Sequence, residues 1–482
     1  MTISTEQHSQ TLATHLDAIL SRPVLQRSQV GIAFYDVHEE RFVYERDADV
    51  LFAGASTTKI LTCLGALSRL GPEYRFETKV VRTGDIDRNG VLQGDLVLVA
   101  SGDPNLSGRI NGDTLDFCNY DHALAGAGYD ARVVDRDPLL VIEALAEQIV
   151  QSGVRHISGT IAVDLGAFAD AGPEPGTGAY ISAIAINDNL IDLEFTGGGA
   201  EGAAVQIASS PAIPCVRFVN RLVTSAAGTA ADVRIVDLPS EQGRLVEIAG
   251  KVPSGRTVRG KYCVPEPAAF AAAALSHALA SRGVAMDVPP LRRSVTDYDF
   301  RGTVALHRSP PLREAVKIVL KVSQNLHAEM LARAGDSFKA VREFVQKYGI
   351  AGGAHQGDGC GAAGTFTPRF MCRLLAGASR EPFADAFVDG LPVLGRDGTL
   401  CDVQTHTVAA ANSAIKAKTG TMGYFDRLAG GEFISAKGLA GYIRTARGSS
   451  LTFALYGQNV PGTAHEAGEI LGEIAVAAYE TL

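Results

Sequence analysis

The chain has 482 residues, 46% of them hydrophobic and 20% charged, with a formal net charge of −9. That length exceeds one ordinary core and fits two or three domains, and the acidic balance lacks the basic footprint of a nucleic-acid-binding protein. The seven cysteines stand singly, without C-x-x-C, so thioredoxin-like, zinc-ribbon and disulfide-framework readings lose their support, and no apolar run approaches the roughly 18–20 residues of a membrane span.

At the N-terminus, Met1–Glu6 has neither a basic segment nor an apolar one, so no secretory leader is visible: the protein is cytosolic, or its leader is missing from the chain. Leu12, Leu16, Ile19 and Leu20 recur at helical spacing and predict a helix over Thr5–Ser21, stopped near Pro23. Val30–Tyr35 and Arg41–Tyr44 flank a polar Asp36–Glu40 and read as a strand hairpin. Ile60, Leu61, Leu64, Leu67 and Leu70 form a helical stripe, which puts Ser56 at or near a helix N-terminus. From about residue 76 to 300, short strand-like runs such as Leu96–Ala100 and Val233–Val236 alternate with turn clusters, and helices interrupt them at Pro138–Ser152 and Pro267–Ser281. Helix returns over Leu312–Val322 and Leu326–Ala334, either side of Ser323-Gln324-Asn325. Strands are expected at Ile415–Thr421, Leu439–Arg444 and Leu451–Tyr456, before a closing helix over Ala464–Leu482. The expected organisation is one α/β (α+β) domain, 1–75 plus 301–482, split by an inserted β-rich region, 76–300, that reads as two small domains.

Three strings in this frame carry chemistry. Ser56-Thr57-Thr58-Lys59 places a hydroxyl and an amine three residues apart on one helical face. A serine needs a nearby base, and a lysine serves as one when an apolar setting or another cation lowers its pKa from about 10.4. Leu51–Ala55 and Ile60-Leu61 supply that setting, and a helix N-terminus offers a backbone N–H to an oxyanion. S-x-x-K is common by chance, however, and recurs at Ser413-Ala414-Ile415-Lys416; that copy falls on a predicted strand, where positions three apart face opposite sides. Ser323-Gln324-Asn325 reads either as an N-cap for the following helix or as a proton-relaying hydroxyl, Ser323, with a substrate-binding amide, Asn325. Lys418-Thr419-Gly420-Thr421 reads as an ordinary exposed strand or as a substrate-binding edge: Lys418 and Thr419 for a carboxylate, the Thr421 N–H for an oxyanion, and Gly420 leaving room for another backbone, such as an extended substrate. Metalloprotease, P-loop and nucleophile-elbow motifs are absent.

The order S-x-x-K, S-x-N, K-T-G is the signature of penicillin-binding proteins and serine β-lactamases, and the chain resembles the D-alanyl-D-alanine carboxypeptidase/endopeptidase family, the class C low-molecular-mass penicillin-binding proteins. The likeness spans about residues 28 to 460. It includes Gly102-Asp103-Pro104-Asn105-Leu106, Ser182–Leu190, Ser309-Pro310-Pro311-Leu312, Leu391-Pro392-Val393 and Asp397-Gly398-Thr399-Leu400, as well as a large insertion between the first two catalytic strings. Two positions depart from the pattern. Gln324 stands in the middle of S-D-N, and Asp358-Gly359-Cys360-Gly361-Ala362-Ala363 replaces both serines of D-G-S-G-L-S. The resemblance implies a transpeptidase-like domain with an antiparallel sheet and helices. It implies catalysis by Ser56, Lys59 and Ser323 through an acyl-enzyme, with Asn325, Lys418, Thr419, Gly420 and Thr421 binding substrate. Stem peptides ending in D-Ala-D-Ala are the expected substrates, β-lactams the expected covalent inhibitors, and the periplasm or cell exterior the expected location. No metal or organic cofactor is implied. The alternatives are a β-lactamase, D-amino-acid peptidase or esterase of the same superfamily, or a non-catalytic penicillin-binding wall protein.

Overall fold

The computed structural model describes residues 5–240, 243–291, 293–407 and 409–482; Met1–Ser4, on which part of the leader reading falls, lie outside the described residues. The chain divides into two compact units, Met1–Tyr74 with Pro311–Leu482, and Arg75–Pro310.

The first unit is built on a five-stranded antiparallel sheet among its described residues. β1 (Gln29–Asp36), β2 (Arg41–Arg46), β3 (Ile415–Asp426), β4 (Gly431–Arg444) and β5 (Ser450–Pro461) lie in the order β2-β1-β5-β4-β3. Strands from both ends of the chain thus pair directly, with Ala33 opposite Ala454. Alternation divides their side chains between two faces. Ile32, Phe34, Ile415, Ala417, Leu439, Phe453 and Leu455 share a core with Leu12, Leu16 and Ile19 of the N-terminal helix Thr5–Leu20 and with Leu471 and Ile474 of the C-terminal helix Ala464–Thr481. The helix Pro368–Ala378 lies on the other face: Cys372 Sγ donates to Ala33 O at 3.3 Å and Thr452 Oγ1 donates to Cys372 O at 2.9 Å. Because Ile415 and Ala417 point to the first face, Lys418 and Gly420 belong to the second.

Two details position the functional strings. β3 is an edge strand whose first residues are covered, since Leu394 N donates to Ile415 O and Ala417 N to Pro392 O. Among the described residues no other strand pairs with its outer edge from Lys418 onward. β3 also runs to Asp426, five residues past the expected end, because Tyr424 and Phe425 favour a strand and the Asp426 carboxylate accepts from Leu428 N and Ala429 N to close the turn. The polar Ser323-Gln324-Asn325 separates the helices Leu312–Lys321 and Asn325–Ala334; Gln324 caps the second, its side chain accepting from His327 N.

The second unit has its own core. A mixed sheet orders Ser294–Val295, Ile161–Asp164, Leu96–Val99, Glu77–Arg82 and Gly302–Arg308, and the helices Leu140–Gln151 and Pro267–Ala280 contribute Leu145, Ile149, Leu275 and Leu279 to the same core. Its described residues also form three three-stranded sheets, one of Gln206–Ser210, Leu190–Thr196 and Thr257–Cys263, one of Val216–Ser225, Arg244–Pro253 and Asp232–Leu238, and one of Ala285–Met286, His156–Ile157 and Val91–Leu92, and a two-stranded pair, Ile110–Asn111 with Thr114–Leu115. Beside them a buried charge network joins Arg109 to Asp121 and Asp188, and His122 to Asp188 and Asp192.

Candidate active site

Ser56 lies in a 3₁₀ turn, Ala55–Thr58, that leads into the helix Lys59–Leu70. The residue before it, Ala55, has φ +45°, a left-handed conformation that costs a non-glycine residue of order 1–3 kcal/mol and survives only where its surroundings enforce it. Two glycines do so here. A Cβ on Gly420 would stand 2.4 Å from Gly54 O and 3.2 Å from Ser56 N, and one on Gly361 would stand 2.0 Å from Ala55 O. The backbone that Gly420 admits is therefore the protein's own serine turn, whereas the sequence had left it open to a substrate strand.

Lys59 is fully buried. Its Nζ donates to Ser56 Oγ at 2.7 Å, Asn325 Oδ1 at 2.6 Å and Cys360 O at 2.8 Å. All three acceptors are neutral. Ser323, at φ +62°, accepts a hydrogen bond on Oγ from Lys418 Nζ at 2.9 Å; Lys418 also donates to Thr419 O at 2.9 Å. Lys418 is fully buried too, and desolvation first, then the charge of Lys59, holds it well below the usual lysine range. The Thr419 hydroxyl meets Thr399 Oγ1 at 2.7 Å. Thr421 accepts from Lys437 Nζ at 2.9 Å. Ser56, Lys59 and Asn325 thus form one linked group, and Ser323 and Lys418 a second; Gly420 packs on the serine turn, and Thr419 and Thr421 continue the same edge strand.

The loop 358–363 explains why the lost serines leave the arrangement intact. Asp358 accepts from Cys360 N at 3.2 Å, Gly361 N at 2.6 Å and Ala363 N at 2.7 Å, while Glu329 Oε1 accepts from Gly359 N at 2.7 Å. These bonds turn the Cys360 carbonyl toward Lys59, so the contact at residue 360 is made by backbone. Asp358 and Glu329 were not singled out from the sequence as site residues; the retained aspartate and glycines of the D-G-x-G pattern were the available signal. Asp397 was missed likewise. It accepts from Lys321 Nζ at 2.7 and 2.8 Å and from Val393 N at 2.9 Å, which ties the residues before Ser323 to the segment carrying Thr399.

The twin at Ser413 sits differently from expectation. Ser413 is exposed on the last turn of a helix, Ala409–Ala414, and Lys416 pairs with Asp389 at 2.9 Å. The copy is set apart by that exposure and by the helix-to-strand junction between its two residues.

Two described groups bring potential metal ligands together, Asp121 with His122 and Asp188, and Glu329 with Asp358 and Cys360. Their donors already serve the protein. Arg109 and the His122 ring engage the first set of carboxylates, backbone N–H groups engage the second, and burial pushes the Cys360 thiol up to about 12, away from the thiolate a metal needs.

A serine hydroxyl bonded to a buried lysine, with a second lysine and hydroxyl beside it, is equipped for acyl transfer. Comparison with known proteins agrees. The family model of the D-Ala-D-Ala carboxypeptidase 3 (S13) family matches residues 12–477. The chain belongs to this family. It is 28% identical over 456 residues to the D-alanyl-D-alanine carboxypeptidase of Actinomadura sp. (strain R39), covering 87% of this chain and 78% of the relative. It is 22% identical over 464 residues to the D-alanyl-D-alanine carboxypeptidase DacB of Haemophilus influenzae, covering 91% and 87%. The crystal structure of penicillin-binding protein 4 (dacB) from H. influenzae superposes with a TM-score of 0.72 at 19% identity over 99% of both chains. The α/β transpeptidase-like fold expected from the sequence is therefore the one adopted, and this S13 family member is by class a serine-type D-Ala-D-Ala carboxypeptidase/endopeptidase.

Proposed function

We propose that Ser56 is the nucleophile and Lys59 its general base, in a cycle that cleaves peptidoglycan stem peptides ending in D-Ala-D-Ala. The observation that carries this reading is the Lys59 ammonium position, 2.7 Å from Ser56 Oγ and held by two further neutral acceptors. In its neutral form Lys59 takes the Ser56 proton as Oγ attacks the carbonyl carbon of the penultimate residue. The N–H groups of Ser56 and Thr421 receive the oxyanion. Collapse of the adduct breaks the C–N bond, and the leaving amine gains a proton through Ser323, which Lys418 resupplies. Asn325 binds the substrate amide, Lys418 and Thr419 its terminal carboxylate, and Gly420 keeps strand and serine turn in contact. Water then hydrolyses the ester and frees Ser56. In the endopeptidase reaction the leaving amine belongs to the side chain of a cross-linked D-amino acid. β-Lactams, which resemble the dipeptide end, acylate the same serine.

The polymer lies outside the cytoplasmic membrane, and that is where this reading places the protein. Among the described residues no helix is long and apolar enough to cross a membrane. Fluorescent penicillin is expected to label the chain covalently at Ser56, and Ser56→Ala to lose the label. A variant that keeps it overturns the assignment. Release of D-alanine from a D-Ala-D-Ala peptide is the expected activity.

A further inference from the structure

Strand geometry fixes which way the backbone of β3 faces along its outer edge. Ile415 O accepts from Leu394 N and Ala417 N donates to Pro392 O, both partners lying outside the sheet. In an antiparallel ladder a residue's N–H and C=O share one side, and the side alternates along the strand. Thr419 and Thr421 therefore face outward as well, which turns the Thr421 N–H toward the open edge, the orientation an oxyanion donor needs. The same geometry leaves Thr421 without a ladder bond to β4: it lies opposite Lys437 in a pair whose backbone groups point apart.

The residues flanking Thr421 hold it unequally. Gly420 packs on the serine turn, where a Cβ would stand 3.2 Å from Ser56 N. On the other side the register shifts between Met422 and Gly423, with Ser435 as the extra residue on β4, and such a bulge bends a strand and re-aims what it carries. What ties Thr421 itself to β4 is a side chain. Lys437 Nζ donates to Thr421 Oγ1 at 2.9 Å and to Ala464 O, in the first turn of the helix Ala464–Thr481, at 2.7 Å. Lys437 is 8% exposed and both acceptors are neutral. Burial lowers its pKa to about 8, with Asp402 opposing, and either form of the amine keeps an N–H for Thr421. A buried lysine costs stability that an apolar side chain of similar volume does not; what the apolar side chain lacks is the bond to Thr421.

We infer that Lys437 is a positioning residue for acylation: through Thr421 Oγ1 it fixes the Thr421 N–H at the oxyanion site and anchors the edge strand to the first turn of the closing helix. This rests on the proposed reading of the Ser56 site. Lys437 touches neither the substrate nor the reacting atoms. By strand alternation it lies on the sheet face opposite Lys418 and acts through Thr421 alone.

The test follows acylation by benzylpenicillin up to saturation, which separates the acylation rate constant from the dissociation constant. The wild type, Lys437→Met, Thr421→Val and the double variant are compared, with thermal unfolding in parallel. A whole oxyanion donor is worth roughly 100- to 1,000-fold, so Lys437→Met is expected to lose about tenfold or more in the rate constant and to keep the dissociation constant within about threefold. Two changes at one bond are not additive, so the double variant should be within about twofold of the slower single variant. Thr463→Ala is the structural control: it uncaps the same helix, where Thr463 Oγ1 accepts from Glu466 N, and should lower the Tm with a rate constant within about twofold of the wild type. A wild-type rate constant in Lys437→Met, losses that multiply in the double variant, an equal slowing by Thr463→Ala, or a loss confined to the dissociation constant each overturns the inference and leaves the Ser56 reading in place. Thr421→Val breaks the same bond from an exposed position, so it carries the test if Lys437→Met does not fold, and an unchanged rate constant there overturns the inference. A wild-type chain that takes no penicillin at Ser56 overturns both.

Discussion

Gly420→Ala tests how the serine turn is held. The added Cβ would stand 2.4 Å from Gly54 O, 3.2 Å from Ala55 Cβ and 3.2 Å from Ser56 N. Ordinary contact begins near 3.4 Å, so the turn must retreat by about 1 Å, and the nearest obstacle is backbone, which cannot swing aside. Overpacking of this kind costs roughly 1–3 kcal/mol of stability. A 1 Å displacement of a reacting group costs about 100-fold in rate, close to 2.7 kcal/mol of barrier. Gly431→Ala on the same hairpin is the control, because a Cβ there meets nothing within 4 Å. The assay is the second-order rate of penicillin acylation, followed by fluorescent labelling, with thermal unfolding measured in parallel. Gly420→Ala is expected to fold, with a lower Tm and acylation slowed about 100-fold, while Gly431→Ala matches the wild type. Wild-type acylation with an unchanged Tm in Gly420→Ala would refute the reasoning, since the serine turn would then be positioned independently of β3.

Cys360→Ser is expected to acylate within about threefold of the wild type, because Lys59 binds the backbone oxygen of residue 360. Asp358→Ala removes the acceptor of three backbone N–H groups, each charge-assisted bond worth about 1.5–3 kcal/mol; it is expected to slow acylation at least tenfold and lower the Tm, and the reverse ranking of these two variants would refute the account of the loop. Lys437, which donates to Thr421 Oγ1 and to Ala464 O, has its pKa lowered by burial from 10.5 to about 8, with Asp402 opposing. Between those values the unfolded chain holds a proton that the native chain has released, so this residue makes stability rise with pH, by about 3 kcal/mol at most. Denaturant unfolding between pH 8 and 10.5 is expected to show a smaller rise in Lys437→Met than in the wild type, and equal rises would refute the assignment.

The N-terminal helix, the helices either side of Ser323-Gln324-Asn325, the closing helix, the β1–β2 hairpin and the three C-terminal strands were legible because apolar spacing sets them locally, whereas the helices Ser337–Lys347, Pro368–Ala378, Ala384–Gly390 and Ala409–Ala414 were not read from the sequence. Lys418-Thr419-Gly420 was legible for a different reason: a fixed triplet on a strand has few alternative uses. Asn325 and Cys360 were harder to connect with Lys59. They lie 266 and 301 residues away along the chain, and only the closed fold brings them to one amine. Ser323-Gln324-Asn325 shows why one string supported two readings. Gln324 caps the helix, and its neighbours meet Lys418 and Lys59, so the capping and functional roles coexist on adjacent residues. The serine turn was least legible, since neither the left-handed Ala55 nor the approach of Gly361 leaves a periodic trace.

The two lysines give the site its chemical logic. Each is fully buried, and the charge of Lys59 adds to the desolvation that depresses Lys418. Two ammonium groups in one dry pocket repel, so the pocket favours holding one proton fewer than two, and that proton belongs to the pair more than to either residue. A pair in this state holds one neutral amine and one ammonium, and passage of the shared proton from Lys59 to Lys418 leaves Lys59 able to take the Ser56 proton and Lys418 able to return one through Ser323. The base and the acid of the cycle then arise from a single electrostatic cause. Acylation of the wild type is expected to fall as acid protonates the second amine. Lys418→Met removes the repulsion, so the base should protonate at a higher pH and the acid limb of the acylation profile should move upward. If the limb stays in place while the rate drops uniformly, Lys418 acts on substrate binding alone, and the coupling argument fails.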